Sequence, residues 1–372
     1  MTTISEPTIN YRKRLISLDA YRGFLMFWVI GGNFLMLSVY LGHQNEVFFW
    51  LGWQLRHEVW DGINFFDTLF PSFMFVSGIA LVFSVSKSIQ KGMEKSVIVI
   101  KVSKRFLFLI ILGIIYNNRL SFDFANIRYV SVLSKIGFGY FVTCILLIYG
   151  NLTWRIAIAV FILLAYWAAM TLIPVPGFGA GVLTPEANLA AYIDKLLLPG
   201  NMYREFYEPE GIMSTISASV CTIAGSLTGS FLQSKRNTTI KKLVILFFTG
   251  GVLILLGRLW NPFYPVNKEI WSSSFNLIVI GMALITFVLF YYLIDFKGYS
   301  KYAFPLVVIG VNSITIYMIC RIVDFSYTAE FVFYGFIELA GAWGEFVKML
   351  GVITLEWLLL YYFYKTKIFL KV

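Results

Sequence analysis

The stretch SSFNLIVIGMALITFVLFYYLI, residues 273–294, carries no charged side chain. A helix of about 20 apolar residues is long enough to cross the ~30 Å hydrocarbon core of a bilayer. Similar blocks lie on both sides of it, at 22–41, 63–86, 103–118, 130–149, 154–173, 211–231, 241–260, 302–320 and 346–364. Of all 372 residues 59% are hydrophobic and only 13% charged, whereas a soluble domain carries roughly 25% charged residues. The reading is an all-α integral membrane protein, a polytopic bundle of about ten (10–11) transmembrane helices, forming a single domain over 1–372 with the lipid bilayer as partner. The first block has no small-residue cleavage site after it, so a retained helix is expected rather than a removed signal peptide.

The net charge of +10 does not point to nucleic acid, because the basic residues sit in short clusters between apolar blocks. Arg12-Lys13-Arg14, Lys87 to Arg105, Arg155, Lys235 to Lys242, Lys297 with Lys301, and the tail Lys365, Lys367 and Lys371 fall on one side of the predicted topology. The other side is poorer in Lys and Arg and holds Glu46, Glu58, Asp61, Asp123, Glu186, Asp194, Glu205, Glu208 and Glu210. Basic loops stay cytoplasmic. Residues 1–21 are therefore read as a cytoplasmic N-terminus, and both termini as cytoplasmic, in an inner (cytoplasmic) membrane. Residues 329–343 are apolar, but a span there would send the basic tail outside, so a re-entrant or interfacial piece is expected. The longest connection, 174–210, faces outward. Within it 186–198 has helical spacing, with Leu189, Tyr192, Ile193, Leu196 and Leu197 on one face of an amphipathic surface helix.

Cys144, Cys221 and Cys320 lie in apolar blocks without metal or disulfide spacing, and no metal is expected. The two histidines, His43 and His57, share one connection. His57 opens the densest polar cluster, with Glu58, Asp61, Asn64 and Asp67. A carboxylate as deep as Asp67 is costly unless paired or wet, which marks either a functional site or a structural ion pair. An imidazole titrates near neutral pH, so His57 can accept and return a proton. Asp61 or Asp67 could orient its ring. Other polar residues inside or beside apolar blocks are Asn33, Lys135 and Glu356, the last two a conceivable pair. An Asp19–Arg22 pair at spacing i, i+3 is also expected.

Leu18-Asp19-Ala20-Tyr21-Arg22-Gly23 resembles the L-D-x-x-R-G opening of a family of transmembrane acyltransferases typified by heparan-α-glucosaminide N-acetyltransferase. His57 to Gly62, followed by Asp67 to Phe73, is similar to that family's H-x-x-W-x-G…D-L-x-F-P-x-F stretch. Tyr207 to Ile216 resembles Y-D-P-E-G-[IL]-x-x-T-I. Pro265 to Ser274 resembles P-x-N-K-x-x-W-x-x-S, and Gly310 to Ile314 matches G-x-N-[SA]-I. One stretch departs: R-I-P-G-V-L-Q-R reads Arg128 to Lys135 with Pro, Gly and Gln replaced. On this resemblance the chain is expected to be a relative without the family's large N-terminal lumenal region. The resemblance implies acetyl transfer from acetyl-CoA to a sugar amine, with His57 as the active histidine and Asn33 near it.

On that expectation His57 acts as general base or as an acetyl carrier. Asp67 or Asp61 holds the imidazole, and Asn33 and Asn267 face the developing oxyanion. Lys268, Arg258 and Arg128 are candidates for the phosphates of acetyl-CoA, with Asn267 beside them. The acceptor is an amino sugar or a glycan. An O-acetyltransferase of an envelope glycan, or a non-enzymatic sugar or glycolipid transporter, are the alternatives, and a homodimer is left open.

Overall fold

The structure is a computed structural model, and it describes residues 15–42, 45–234 and 236–369. His43, Arg12-Lys13-Arg14, Lys235 and Lys371 lie outside the described residues. The described residues are mostly helical: α1 Ile16–Phe27, α2 Asn33–Gly42, α3 Glu46–Gln54, α4 Leu69–Gln90, α5 Lys95–Asn118, α6 Val132–Tyr149, α7 Leu152–Leu172, α8 Leu189–Leu197, α9 Ile212–Gln233, α10 Thr239–Trp260, α11 Ser273–Phe290, α12 Phe304–Val311, α13 Ser313–Ile322, α14 Phe325–Ala340 and α15 Gly344–Lys365. Many start on a side-chain cap that satisfies a free backbone N–H, as Ser272 does by accepting from Phe275 N of α11.

Eight stretches among the described residues are long and apolar enough to cross a membrane, and nine if α12 and α13, bent by 71° at Asn312, count as one. All ten apolar blocks of the sequence are helical. The block at 103–118 lies in α5, whose first half carries Lys95, Lys101, Lys104 and Arg105. The first block is α1 and α2 joined by one wide turn over Trp28–Gly32. The eighth stretch, Phe325–Lys365, is folded back at Gly341 (φ 52°) into two arms. Glu330 on α14 meets Lys348 on α15 at 2.6 Å, and Phe333 and Ala329 cover Gly351, so α14 lies antiparallel to the first half of α15. Ile16 at the start of α1 and Tyr364 at the end of α15 line one hollow. Both ends of the described bundle therefore lie at the same pole, here the basic pole.

The centre belongs to α4, α9 and α11, while α7 and α10 expose most of their surface. In lipid, helices associate through close packing rather than through exclusion of water. Small residues permit this: a Cβ at Gly78 would overlap the Thr222 carbonyl, and one at Gly225 the Phe75 carbonyl. The α1–α12 contact repeats the device, with Gly23 against the Leu306 carbonyl and Gly310 against the Asp19 carbonyl.

At the opposite pole α8 forms within the long connection, but its buried face is Leu189, Ala190, Ala191 and Asp194. Leu196 and Leu197 are exposed. Asp194 lies on the buried face, where its Oδ1 accepts from Ile212 N at 2.8 Å and caps α9.

Candidate active site

His57 follows α3 on an irregular segment that leads into a short 3₁₀ turn, Phe65–Thr68, at the head of α4. Asp67 belongs to that turn and reaches back. Its Oδ1 is 2.7 Å from His57 Nδ1, and its Oδ2 accepts from Glu58 N at 3.2 Å and Asn64 N at 3.0 Å. An ionised carboxylate can only accept, so the Asp67 contact calls for a proton on His57 Nδ1, while the Lys268 ammonium, a donor only, stands 2.9 Å from the same nitrogen and competes for its lone pair. With Nδ1 protonated, Nε2 is the nitrogen left with a lone pair. The ring packs on Phe66, with centroids 4.8 Å apart.

Lys268 approaches from the loop before α11. Its Nζ is 2.9 Å from His57 Nδ1, 3.5 Å from Asp67 Oδ1 and 3.9 Å from Glu269 Oε1. Two clasps, one between main chains and one between side chains, bring that loop to the His57 segment: Gly62 N donates to Val266 O at 2.7 Å, and Asn267 Nδ2 to Asp61 Oδ1 at 3.2 Å. Asn267 Oδ1 also accepts from Ile270 N, and the residue is fully buried.

A cavity of about 600 Å³ opens against these groups. Its wall includes His57, Glu58, Lys268, Glu269, Arg128, Lys135, Tyr203, Arg204, Tyr207, Glu210 and Trp271. Most of its charges are paired. Arg128 forms a two-pronged ion pair with Glu208, one arm of it Nε to Oε2 at 2.8 Å. Burial lowers the affinity of that guanidinium for its proton, but the Glu208 bonds outweigh it and the net shift is upward. Lys135 stands 3.0 Å from Glu210, donates to Pro209 O at 2.7 Å and lies over the Trp271 ring. Burial raises the Tyr207 phenol to about 12, with the Glu269 charge adding to it. Burial also raises the Glu269 carboxyl; Glu210 adds to this, and Lys268 and His57 oppose it.

A second cavity of about 330 Å³ lies toward the basic pole, lined by Arg22, Arg105, Tyr140 and the α12–α13 break with Asn312. Phe70, Ile136 and Tyr317 line both cavities and form the wall between them. The Arg105 Nε and both amide atoms of Asn312 are buried there without a hydrogen-bond partner.

The structure thus unites His57, Asp67 and Lys268 and places Arg128 across the same cavity. The other candidates fall elsewhere. Asp61 does not hold the imidazole, because residues 55–64 are not helical and its carboxylate is on Asn267. Asn267 is a loop clasp, with its amide spent on Asp61 and Ile270 and not facing the cavity. Arg258 is exposed on α10, outside both cavities, since the turn after α10 carries Lys268 away from it. Asn33 begins α2 with its Oδ1 buried and unpartnered, and it does not line the cavity. Lys135 and Glu356 do not pair: Glu356 instead accepts from Cys320 Sγ at 3.3 Å. The Asp19–Arg22 pair forms at 3.7 Å. Glu269 and Glu208 were missed; their signal was a charged residue inside two quoted motifs. Among the described residues no group of three His, Cys, Asp or Glu is arranged to hold a metal.

Comparison with known proteins agrees with the motifs. The chain is 27% identical over 344 residues to human heparan-alpha-glucosaminide N-acetyltransferase, covering 77% of this chain and 49% of that protein. The mouse protein of the same name is 26% identical over 344 residues, covering 77% of this chain and 50% of its own. The chain is a relative of these N-acetyltransferases and spans about half their length. No protein-family profile matches it.

Proposed function

We propose that this relative of the heparan-alpha-glucosaminide N-acetyltransferases moves an acetyl group from acetyl-CoA to the amine of an amino sugar inside the membrane. The observation that carries the reading is the His57–Asp67 pair with Lys268 beside it, facing a cavity large enough for a sugar. Asp67 holds the imidazole with Nδ1 protonated, so Nε2 is the base that takes a proton from the attacking amine. The Lys268 ammonium stands where it can offset the charge that builds on the thioester oxygen. Asn267, already spent on its clasp, has no part in this.

Acetyl-CoA reaches the site from the basic pole, which positive-inside asymmetry assigns to the cytoplasm. Its anionic end needs cations and donors, and the second cavity offers Arg22, Arg105 with its unpartnered Nε, and the unpartnered Asn312 amide. Only the acetyl-bearing arm then has to pass Phe70, Ile136 and Tyr317 to meet His57. Arg128, locked to Glu208 on the far side, is not a phosphate site on this reading.

The test is acetyl transfer from radiolabelled acetyl-CoA to glucosamine by purified protein in detergent. Replacing His57 by alanine is expected to reduce the rate by about 10²–10⁴-fold, the usual worth of a positioned base, without lowering the melting temperature. Equal rates for wild type and the variant would remove His57 from the reaction.

A further inference from the structure

Two carboxylates around the His57 cavity, Glu210 and Glu269, keep a buried Oε2 without a hydrogen-bond partner, and only that of Glu210 has a cation close by, at 3.0 Å. Asp67 accepts from His57, Glu58 N and Asn64 N. Glu208 accepts from Arg128, Tyr203 N and Glu210 N. Glu210 stands 3.0 Å from Lys135, and the more exposed Glu58 accepts from Val59 N. Glu269 differs. It is only 7% exposed and lines the cavity, yet its Oε2 is buried without a hydrogen-bond partner. Its nearest cation, Lys268, is at 3.9 Å and is also shared with Asp67 at 3.5 Å and His57. A buried acceptor left open is costly, and a built cavity that keeps one implies a donor arriving from outside.

We propose that Glu269 is the receptor for a cationic amine: its carboxylate binds the ammonium of the acceptor beside His57 and takes the first of that ammonium's two protons. The proposal rests on the acetyl-transfer reading for its chemistry, though not for its binding test. An ammonium is no nucleophile until one proton leaves, and the nitrogen must shed a second as it becomes an amide. His57 has one free nitrogen and serves one proton. In the balanced step the first proton passes to Glu269. The amine then attacks the thioester carbon, a C–N bond forms and the C–S bond breaks. The second proton leaves nitrogen for His57 Nε2 and goes on to the departing thiolate, giving the free thiol. Glu269 returns its proton to solvent through the cavity mouth. The products are the acetamide, the thiol and one proton. A hydroxyl acceptor brings one proton and needs His57 alone, so Glu269 marks this site for amines over alcohols.

The groups that face Glu269 are Lys268, His57, Glu210 and Tyr207. Lys268 and Tyr207 flank the carboxylate, and Oε2 is the atom left for the ammonium.

The experiment is calorimetric titration of detergent-purified protein with glucosamine and with glucose, in the absence of acetyl-CoA. Wild type is expected to bind glucosamine about tenfold or more tighter than glucose, the worth of one charge-assisted hydrogen bond. Glu269→Gln is expected to bind the two sugars alike with an unchanged melting temperature, and Glu269→Asp to keep part of the preference. Wild type without any preference for glucosamine, or a preference that survives in Glu269→Gln, would overturn the proposal. No acetyl donor is present, so this outcome is separate from that of the His57→Ala transfer assay.

Discussion

Asp194 is 1% exposed, and burial pushes its carboxyl up to about 6 from the usual 3.8, against the pull of Ile212 N and Lys135. The folded protein holds this proton more tightly than the unfolded chain does. The linked stability is complete below the unfolded value and is lost as pH rises through the folded one. Wild type should therefore lose melting temperature between about pH 4 and pH 6, and Asp194→Asn should lose less over the same window. Melting curves of both proteins across that range check it, and parallel curves would refute it. The His57–Asp67 pair, by contrast, was legible from residues: a histidine beside a deep carboxylate, inside a familiar spacing. Asp67 could not be preferred over Asp61 from sequence, because the choice depends on whether residues 55–64 coil into a helix. They do not, and the 3₁₀ turn at 65–68 is what points Asp67 back. Nor could spacing show that Asn267 spends its amide on Asp61, a partner 206 residues away.

At the level of elements, all ten apolar blocks became helices because hydrophobic length is a local property. What spacing did not give were the elements whose form depends on distant partners. The short α3 leads to His57, the α12–α13 bend turns the chain at Asn312, and α8 sets Asp194 against the start of α9. Helix contact through bare backbone is likewise a tertiary fact written in glycine. Gly225 meets the Phe75 carbonyl of α4, and backbone cannot yield as a flexible side chain does. Gly225→Ala should cost about 1–3 kcal/mol as an overpacked contact. The readout is the detergent melting temperature, with alanine at Gly251, whose added Cβ meets nothing within 4 Å, as the control that should leave it unchanged.

Over the whole molecule, the two ends of the described bundle share a pole, where Ile16 and Tyr364 line one hollow. The folded arm α14 explains how residues 329–343 can be apolar and helical while α15 still returns the chain to that pole. The pair of cavities was invisible to sequence, since their common wall draws Phe70, Ile136 and Tyr317 from three separate helices. If the acetyl-bearing arm passes that wall, Ile136→Trp should block it. Acetyl transfer should fall at least about tenfold, as misplacement of a reacting group costs, while glucosamine binding measured without acetyl-CoA stays as in wild type. Loss of both would mean the substitution distorts the outer cavity rather than closing a passage.

The thinness of that wall has an electrical consequence. Where aqueous cavities approach from both faces, a membrane potential drops mainly across the apolar layer between them. An elementary charge carried through the full drop exchanges about 2.3 kcal/mol per 100 mV. In the proposed reaction the phosphates remain on the arginine side and the ammonium's protons enter on the other. What crosses the layer is an uncharged acyl thioester. A cell could energise or depolarise its membrane without altering the equilibrium of such a transfer, and vesicles held at opposite potentials should acetylate the sugar at the same rate.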